Sequence, residues 1–285
     1  MPSPAHGYDI GERVEEPLHS EPKHEPMPEV LKSAIRMGVA RVTLTRPEVR
    51  NAFNAELIWA LRDEFVRLGE EPAVRAIVLS GEGAAFCGGA DVNWMRAALG
   101  LSYDKNLADA EAMSDMFRAI DRCPKPVVAR VHGAALGGGA GLVAVCDVAV
   151  ASNDSVFGFT EVKLGILPAV ISPFVIAKIG ASQARALFLT GRRFDATHAE
   201  RIGLVHAVVA GDELDGAIES VLAELLTAGP KAIAAAKSLI VSVRDAAYDE
   251  SRDLTTVAIA KQRVSEEGQE GLRAFLERRP ARFAR

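Results

Sequence analysis

Two short stretches of this chain hold residue types from which an anion-stabilising site can be built: FCGGAD, Phe86 to Asp91, and LGGGAG, Leu136 to Gly141. Each follows a β-branched run, VRAIVLS in the first case and PVVARVHG in the second, and each leads into apolar, helix-compatible sequence. Glycines at such a turn let the backbone come close to a ligand. The first N–H groups of a helix lack partners and sit at the positive end of its dipole. Two such ends aimed at one point make a two-donor hole for an oxyanion, able to stabilise an enolate where its charge develops. Proton transfer at that site needs an acid nearby, and Gly141, two residues past the triple glycine, cannot supply one.

Taken alone, either loop reads better as a tight turn or a close backbone contact; together they favour a site. A dinucleotide fingerprint is the competing pattern, since Gly139, Gly141 and Ala144 satisfy GxGxxA, with Asp154 and Glu161 downstream. The helix available before DVAVAS spans only Gly139 to Cys146, too short for a βαβ crossover. A phosphate-binding P-loop fails because no Gly-Lys-Ser/Thr follows the cluster.

The elements that must position these loops follow from periodicity. VARVTLT alternates like a strand before the turn at Arg46-Pro47, and Asn54 is placed to cap a helix with apolar residues at Leu57, Leu61, Phe65 and Leu68. Met113, Met116, Phe117 and Ile120 stripe a helix that ends before Pro124; PVVARVHG, DVAVAS and GLVHAVV read as strands, and Leu214, Ile218, Val221, Leu222 and Leu225 mark a later helix. The expected organisation is a tail over residues 1–33, rich in Pro, Glu and His, an α/β core over 34–200, and a helical region over 201–285. A net charge of −5 with no long basic block argues against nucleic-acid binding. Three cysteines without CxxC spacing fit a reducing compartment. The first residues lack the pattern of a secretory or mitochondrial leader, and no apolar run is long enough to span a membrane, so a cytoplasmic location is expected.

Together FCGGADVNWM, VHGAALGGGAGLVAVCD and FGFTEVKLGILPAVISPFVIAKIG resemble the enoyl-CoA hydratase/isomerase, or crotonase, superfamily. RPEVRNAFN and the terminal EEGQEGLRAFLERR extend the resemblance over roughly residues 36–285, and GILPAVISPFVIAKIG is most similar to the 3-methylglutaconyl-CoA hydratase-like branch. The resemblance implies an α/β, ClpP/crotonase-like fold of repeated β-β-α turns with a helical C-terminal region that mediates trimers or dimers of trimers. It places the oxyanion donors at the backbone N–H groups of Ala90 and Gly138, and the adenine and pantetheine end of CoA against Ala90, Asp91, Val92 and Asn93. The implied substrate is an acyl-CoA thioester, with CoA as part of that substrate and no metal or redox cofactor. Where many hydratases of the family carry two glutamates, this sequence has Gly141 at the first position and Glu161 at the second.

Glu161, among Phe157, Phe159, Val162 and Leu164, is therefore the expected acid/base, since apolar surroundings raise a carboxyl pKa toward neutrality. Gly141 is expected to leave room in the acyl pocket for a branched or carboxylate-bearing group. Asp91 is expected to cap a helix at Val92, Asp147 to fix the entry of the following strand, His132 to be a satisfied core histidine, and Cys87 and Cys146 to be small buried hydrophobes; His206 lies in a strand far from the loops. One glutamate admits hydration through a shared water, double-bond isomerisation with one base, or decarboxylation of a glutaconyl-type thioester. The branch resemblance favours hydration. A non-catalytic acyl-CoA binder and a nicotinamide oxidoreductase are the other classes weighed.

Overall fold

The computed structural model describes residues 30–244 and 246–284. Strand β1 (Leu31–Arg36) turns through Met37 and Gly38, both at positive φ, into the antiparallel β2 (Val39–Leu44). Two positive φ values in a two-residue turn match the twist of a hairpin. Helix α1 (Ala55–Glu70) starts where expected: the Asn54 side chain accepts the Leu57 N–H, and Leu57, Leu61, Phe65 and Leu68 are all buried. It carries the chain to β3 (Ala76–Gly81), parallel to β2. Helices α2 (Val92–Ala98) and α3 (Tyr103–Asp121) then lead to β4 (Val127–Val131).

From β4 the chain repeats one unit. Short β5 (Ala134–Leu136) and α4 (Gly138–Val145) follow β4; β6 (Val148–Ser152), β7 (Val156–Gly158) and α5 (Ser172–Thr190, broken at Gly180) form the next turn. β8 (Arg193–Asp195), α6 (Ala196–Arg201) and β9 (Ala207–Val209) complete the core. One sheet runs β1-β2-β3-β4-β6-β9, parallel except for its first hairpin; the second runs β5-β7-β8. This is the expected β-β-α repetition.

Alternation along the strands divides the core. Ala40, Val42, Ile77, Leu79, Val127 and Ala129 face the main core shared with α1, α3, α4 and α5. Val39, Ala76, Val78, Val128 and Val150 face α7 (Leu214–Thr227) through Leu214, Ile218 and Leu222. Helices α8 (Pro230–Arg244), α9 (Tyr248–Val264) and α10 (Glu266–Glu277) form a separate layer. The layer is tied to the core by the Lys237–Asp147 ion pair at 2.7 Å, and by Arg75, which donates to the carbonyls of Ala228 (2.7 Å) and Phe283 (2.9 Å).

Two boundaries move. Residues 31–33, read as tail, are the start of β1, while the rest of that segment up to residue 29 lies outside the described residues. The sheet also runs past residue 200, because β9 pairs with β6 and α7 covers the sheet. Among the described residues no single helix is long and apolar enough to cross a membrane.

Candidate active site

The first glycine loop is held from behind by the RPEVRNAFN segment. The Arg46 N–H donates to Asn51 Oδ1 (2.9 Å), and Asn51 Nδ2 donates to the carbonyls of Glu82 (2.9 Å) and Ala85 (2.8 Å). Gly88 donates to Arg50 O at 2.7 Å. Phe53 then pairs on both sides of Ala90, donating to Gly89 O (2.7 Å) and accepting from the Asp91 N–H (2.9 Å). In an extended segment successive N–H groups point to opposite sides, so the Ala90 N–H faces away from Phe53. Arg46 pairs with Asp91 at 2.8 Å, both side chains being largely buried, and Asp91 Oδ1 accepts the Asn93 and Trp94 N–H groups at the start of α2.

The second loop is locked to the first. Cys87 donates to Ala134 O (3.0 Å) and accepts from the Leu136 N–H (3.0 Å), while the Gly137 N–H donates to Gly158 O (2.8 Å). Gly89 and Gly137 have φ of +97° and +51°, the region where only glycine is unstrained. Gly138 opens α4, a helix whose residues from Gly139 onward are all buried. Among the described residues the N–H groups of Ala90 and Gly138 donate to no backbone carbonyl.

Glu161 arrives at the same point because β7 bonds to Gly137 through Gly158, three residues earlier. The carboxylate starts a short 3-10 turn, Glu161–Leu164. Its Oε1 lies 3.3 Å from where a β-carbon on Gly137 would stand, and its Oε2 is buried with no hydrogen-bond partner among the described residues. Burial pushes its pKa up, and its own backbone N–H offsets this only in part. Ala90, Gly137, Gly138 and Glu161 line a cavity of about 720 Å³. Its remaining wall is mostly apolar and comes from α2 (Trp94, Met95, Ala98), α3 (Ala110, Met113) and residues 164–171.

Of the expected site residues, the structure brings Ala90, Gly138 and Glu161 together. Gly141 is corrected: it is buried and outside the cavity wall, and a β-carbon there would collide with Ile171 and stand 3.1 Å from Phe117 Cζ, so it leaves no room for an acyl branch. Asp91, Val92 and Asn93 also fall outside the cavity wall. Asp91 is 4% exposed and serves as the expected cap, Val92 is exposed, and the Asn93 Oδ1 accepts from Arg96 at 2.8 Å.

Cys87 and Cys146 are buried, with thiols pushed up to about 12 by desolvation. His132 is half-buried rather than in the core, donating from Nε2 to Gly83 O at 2.9 Å. Asp147 accepts the Val127 N–H at 2.7 Å and so anchors the start of β4 rather than of β6. His206 takes the Ala149 N–H on Nδ1 at 3.0 Å, away from the cavity. Sequence reasoning missed Asn106, Asp109 and Ile171 in the cavity wall. The spacing Asn106, Asp109, Ala110, Met113 is one helical face and could have revealed the first two.

The enoyl-CoA hydratase/isomerase family model matches residues 34–285. The chain is 37% identical over 244 residues to an enoyl-CoA hydratase of Alternaria alternata, covering 84% of this chain and 79% of that one. It is 30% identical over 253 residues to the crotonyl-CoA hydratase of Syntrophomonas wolfei, covering 86% and 94%. The crystal structure of an enoyl-CoA hydratase from Shewanella pealeana superposes with a TM-score of 0.86 at 37% identity, covering 89% of this chain and 95% of that one. With two glycine loops locked edge to edge, one buried carboxylate beside them and a match over nearly the whole described length, this chain belongs to the enoyl-CoA hydratase/isomerase family and has its crotonase-like fold.

Proposed function

We propose that this protein is an enoyl-CoA hydratase acting on a 2-enoyl-CoA thioester, straight or methyl-branched, with one glutamate as acid and base. The observation that carries the reading is Glu161: it lines the cavity with Oε1 beside Gly137 and Oε2 buried without a hydrogen-bond partner, on the same wall as the Ala90 and Gly138 N–H groups, which among the described residues bond no backbone carbonyl. The Ala90 and Gly138 N–H groups would receive the thioester oxygen and stabilise it as the enolate forms. Water adds its oxygen to the β-carbon, the Cα=Cβ π pair shifts to form a Cα=C bond to the thioester carbon, and the carbonyl π pair moves onto the thioester oxygen, giving the enolate. Glu161 takes the proton of the attacking water and returns one to the α-carbon on the same face, a syn addition. A carboxyl whose pKa is raised by burial is suited to both halves of that exchange.

A second reading, isomerisation of a 3-enoyl thioester, is favoured by the same single carboxylate, since moving a proton between two carbons needs only one base. Incubation with crotonyl-CoA, 3-methylglutaconyl-CoA and a 3-enoyl-CoA separates the cases. Hydration adds the mass of water, isomerisation changes retention at constant mass, and decarboxylation loses carbon dioxide. An acyl-CoA binder without turnover leaves all three thioesters unchanged. We infer self-association from the exposed apolar residues of α9 and α10, Val257, Ile259 and Phe275 among them, and take the trimer or dimer of trimers from what the family resemblance implies.

A further inference from the structure

The cavity that holds Glu161 contains a second carboxylate, Asp109, and among the described residues no Lys, Arg or His lines it. Asp109 stands on α3 one turn from Met113 and shares its cavity face with Asn106. Its place relative to the oxyanion donors follows from Phe117 on the same helix. The Phe117 ring tip lies 4.0 Å from a β-carbon built on Gly138, and Asp109 is two turns earlier, ~12 Å along the axis at 1.5 Å per residue. The thioester oxygen belongs at Gly138, so Asp109, half-buried, and Asn106, exposed, stand well away from it along α3. Asn106 Nδ2 is already committed to the carbonyls of Leu101 (3.2 Å) and Ser102 (3.1 Å), so it has little left to neutralise an anion.

We propose that the acyl end of the thioester runs along α3 and that Asp109 is a specificity-determining residue that excludes acyl groups ending in a carboxylate and admits neutral ones. This rests on the acyl-CoA reading of the cavity and deepens it. An anionic acyl end lying there would leave water for a mostly apolar wall, meet the Asp109 charge in the same cavity and find no cation among the described lining residues. The residues that resemble a 3-methylglutaconyl-CoA branch thus sit in a pocket whose charge disfavours a dicarboxylic thioester; a neutral acyl group suits it better.

The test is calorimetric binding of four saturated thioesters to the full-length protein: pentanoyl-CoA against glutaryl-CoA, and hexanoyl-CoA against adipoyl-CoA, each pair matched in length. The expected result is that the dicarboxylates bind about tenfold to a hundredfold more weakly. Asp109→Asn should close most of that gap, and Asp109→Glu should keep it. Equal or tighter binding of the dicarboxylates by the unmodified protein overturns the proposal, as does a gap that survives Asp109→Asn. If Asp109→Asn fails to fold by circular dichroism, the wild-type ratio and Asp109→Glu decide. Binding is read independently of turnover: no hydration of crotonyl-CoA overturns the hydratase reading while the binding ratios still judge Asp109. Failure of all four thioesters to bind overturns both.

Discussion

Gly141 and Ile171 occupy one space. A β-carbon on Gly141 would overlap Ile171 Cγ2 and stand 3.1 Å from both Ile171 Cβ and Phe117 Cζ, so the glycine is the counterpart of a bulky side chain delivered thirty residues later. The missing first glutamate therefore leaves no void; its place is filled by hydrocarbon. Overfilling such a contact costs ~1–3 kcal/mol.

Gly141→Ala is expected to lower unfolding free energy by that amount and to reduce activity on all thioesters alike, and Gly141→Glu is expected to be worse. Combining Gly141→Ala with Ile171→Ala should recover part of the loss, a non-additivity measurable by urea denaturation of the four proteins in a double-mutant cycle. Acyl-selective effects of Gly141→Ala would contradict the packing account.

Glu161→Gln should reduce turnover by about a hundredfold or more with little change in thioester binding, as the loss of a general acid–base does. Steady-state kinetics beside calorimetry reads both. A variant that keeps wild-type turnover removes Glu161 from the mechanism.

The same substitution has an opposite effect on stability. Burial raises the Glu161 pKa above its ordinary 4.5, so over the window between the two values the folded state binds more protons than the unfolded one. Stability from this group is complete below pH 4.5 and declines as pH rises through the folded-state pKa. Glu161→Gln is free of that decline, and its advantage over wild type should grow from acid toward neutral pH in denaturation curves taken across that range.

Breaking the Arg46–Asp91 pair should loosen the loop that presents Ala90. Burial by itself would raise the Asp91 pKa, but the Arg46 guanidinium and the Asn93 and Trp94 N–H groups outweigh it and hold the carboxyl low. The pair's contribution is present above the ordinary aspartate pKa and is lost as pH falls through the lowered one. Arg46→Met leaves a largely buried carboxylate without its cation and should cost ~3 kcal/mol, with kcat falling more than binding because a displaced Ala90 N–H weakens the enolate more than the ground-state thioester. Denaturation and kinetics on the one variant test both halves.

Self-association is best probed at one surface residue. Removing everything from about residue 212 would strip α7 from the sheet and expose Val39 and Val78, which share its buried cluster, so aggregation would say nothing about subunit contacts. Phe275, 82% exposed on α10, touches no such core, and Phe275→Asp should shift the sedimentation coefficient toward the monomer while leaving circular dichroism unchanged.

Much of the core was legible because its signals are local. Asn54 capping α1, the buried spacing Leu57 to Leu68 and the alternation in β2 each lie within one element, and the glycine loops announced themselves by composition. The cavity's outer wall was not legible in the same way. Met113 belongs to a stripe that reads as core, and only the meeting of α3 with residues 164–171 makes its outer flank a pocket face. The role of Gly141 depended on Ile171, whose packing no local periodicity encodes. Asp147 was read against the strand that follows it, whereas its carboxylate bonds a strand twenty residues earlier.

The cavity has two walls of different permanence. α4 is submerged in the core, and its last carbonyl region is clamped by Lys178, whose Nζ donates to Cys146 O at 2.6 Å. Across from it Leu99, Leu164, Ile166 and Leu167 are 54–80% exposed. Amide exchange at buried α4 is expected to be far slower than at the exposed wall, where local opening disturbs little packing. With a thioester as the proposed substrate, entry and exit are expected across the exposed side. On the proposed function, residence time is expected to follow the exposed face of the pocket and the barrier to chemistry the buried one.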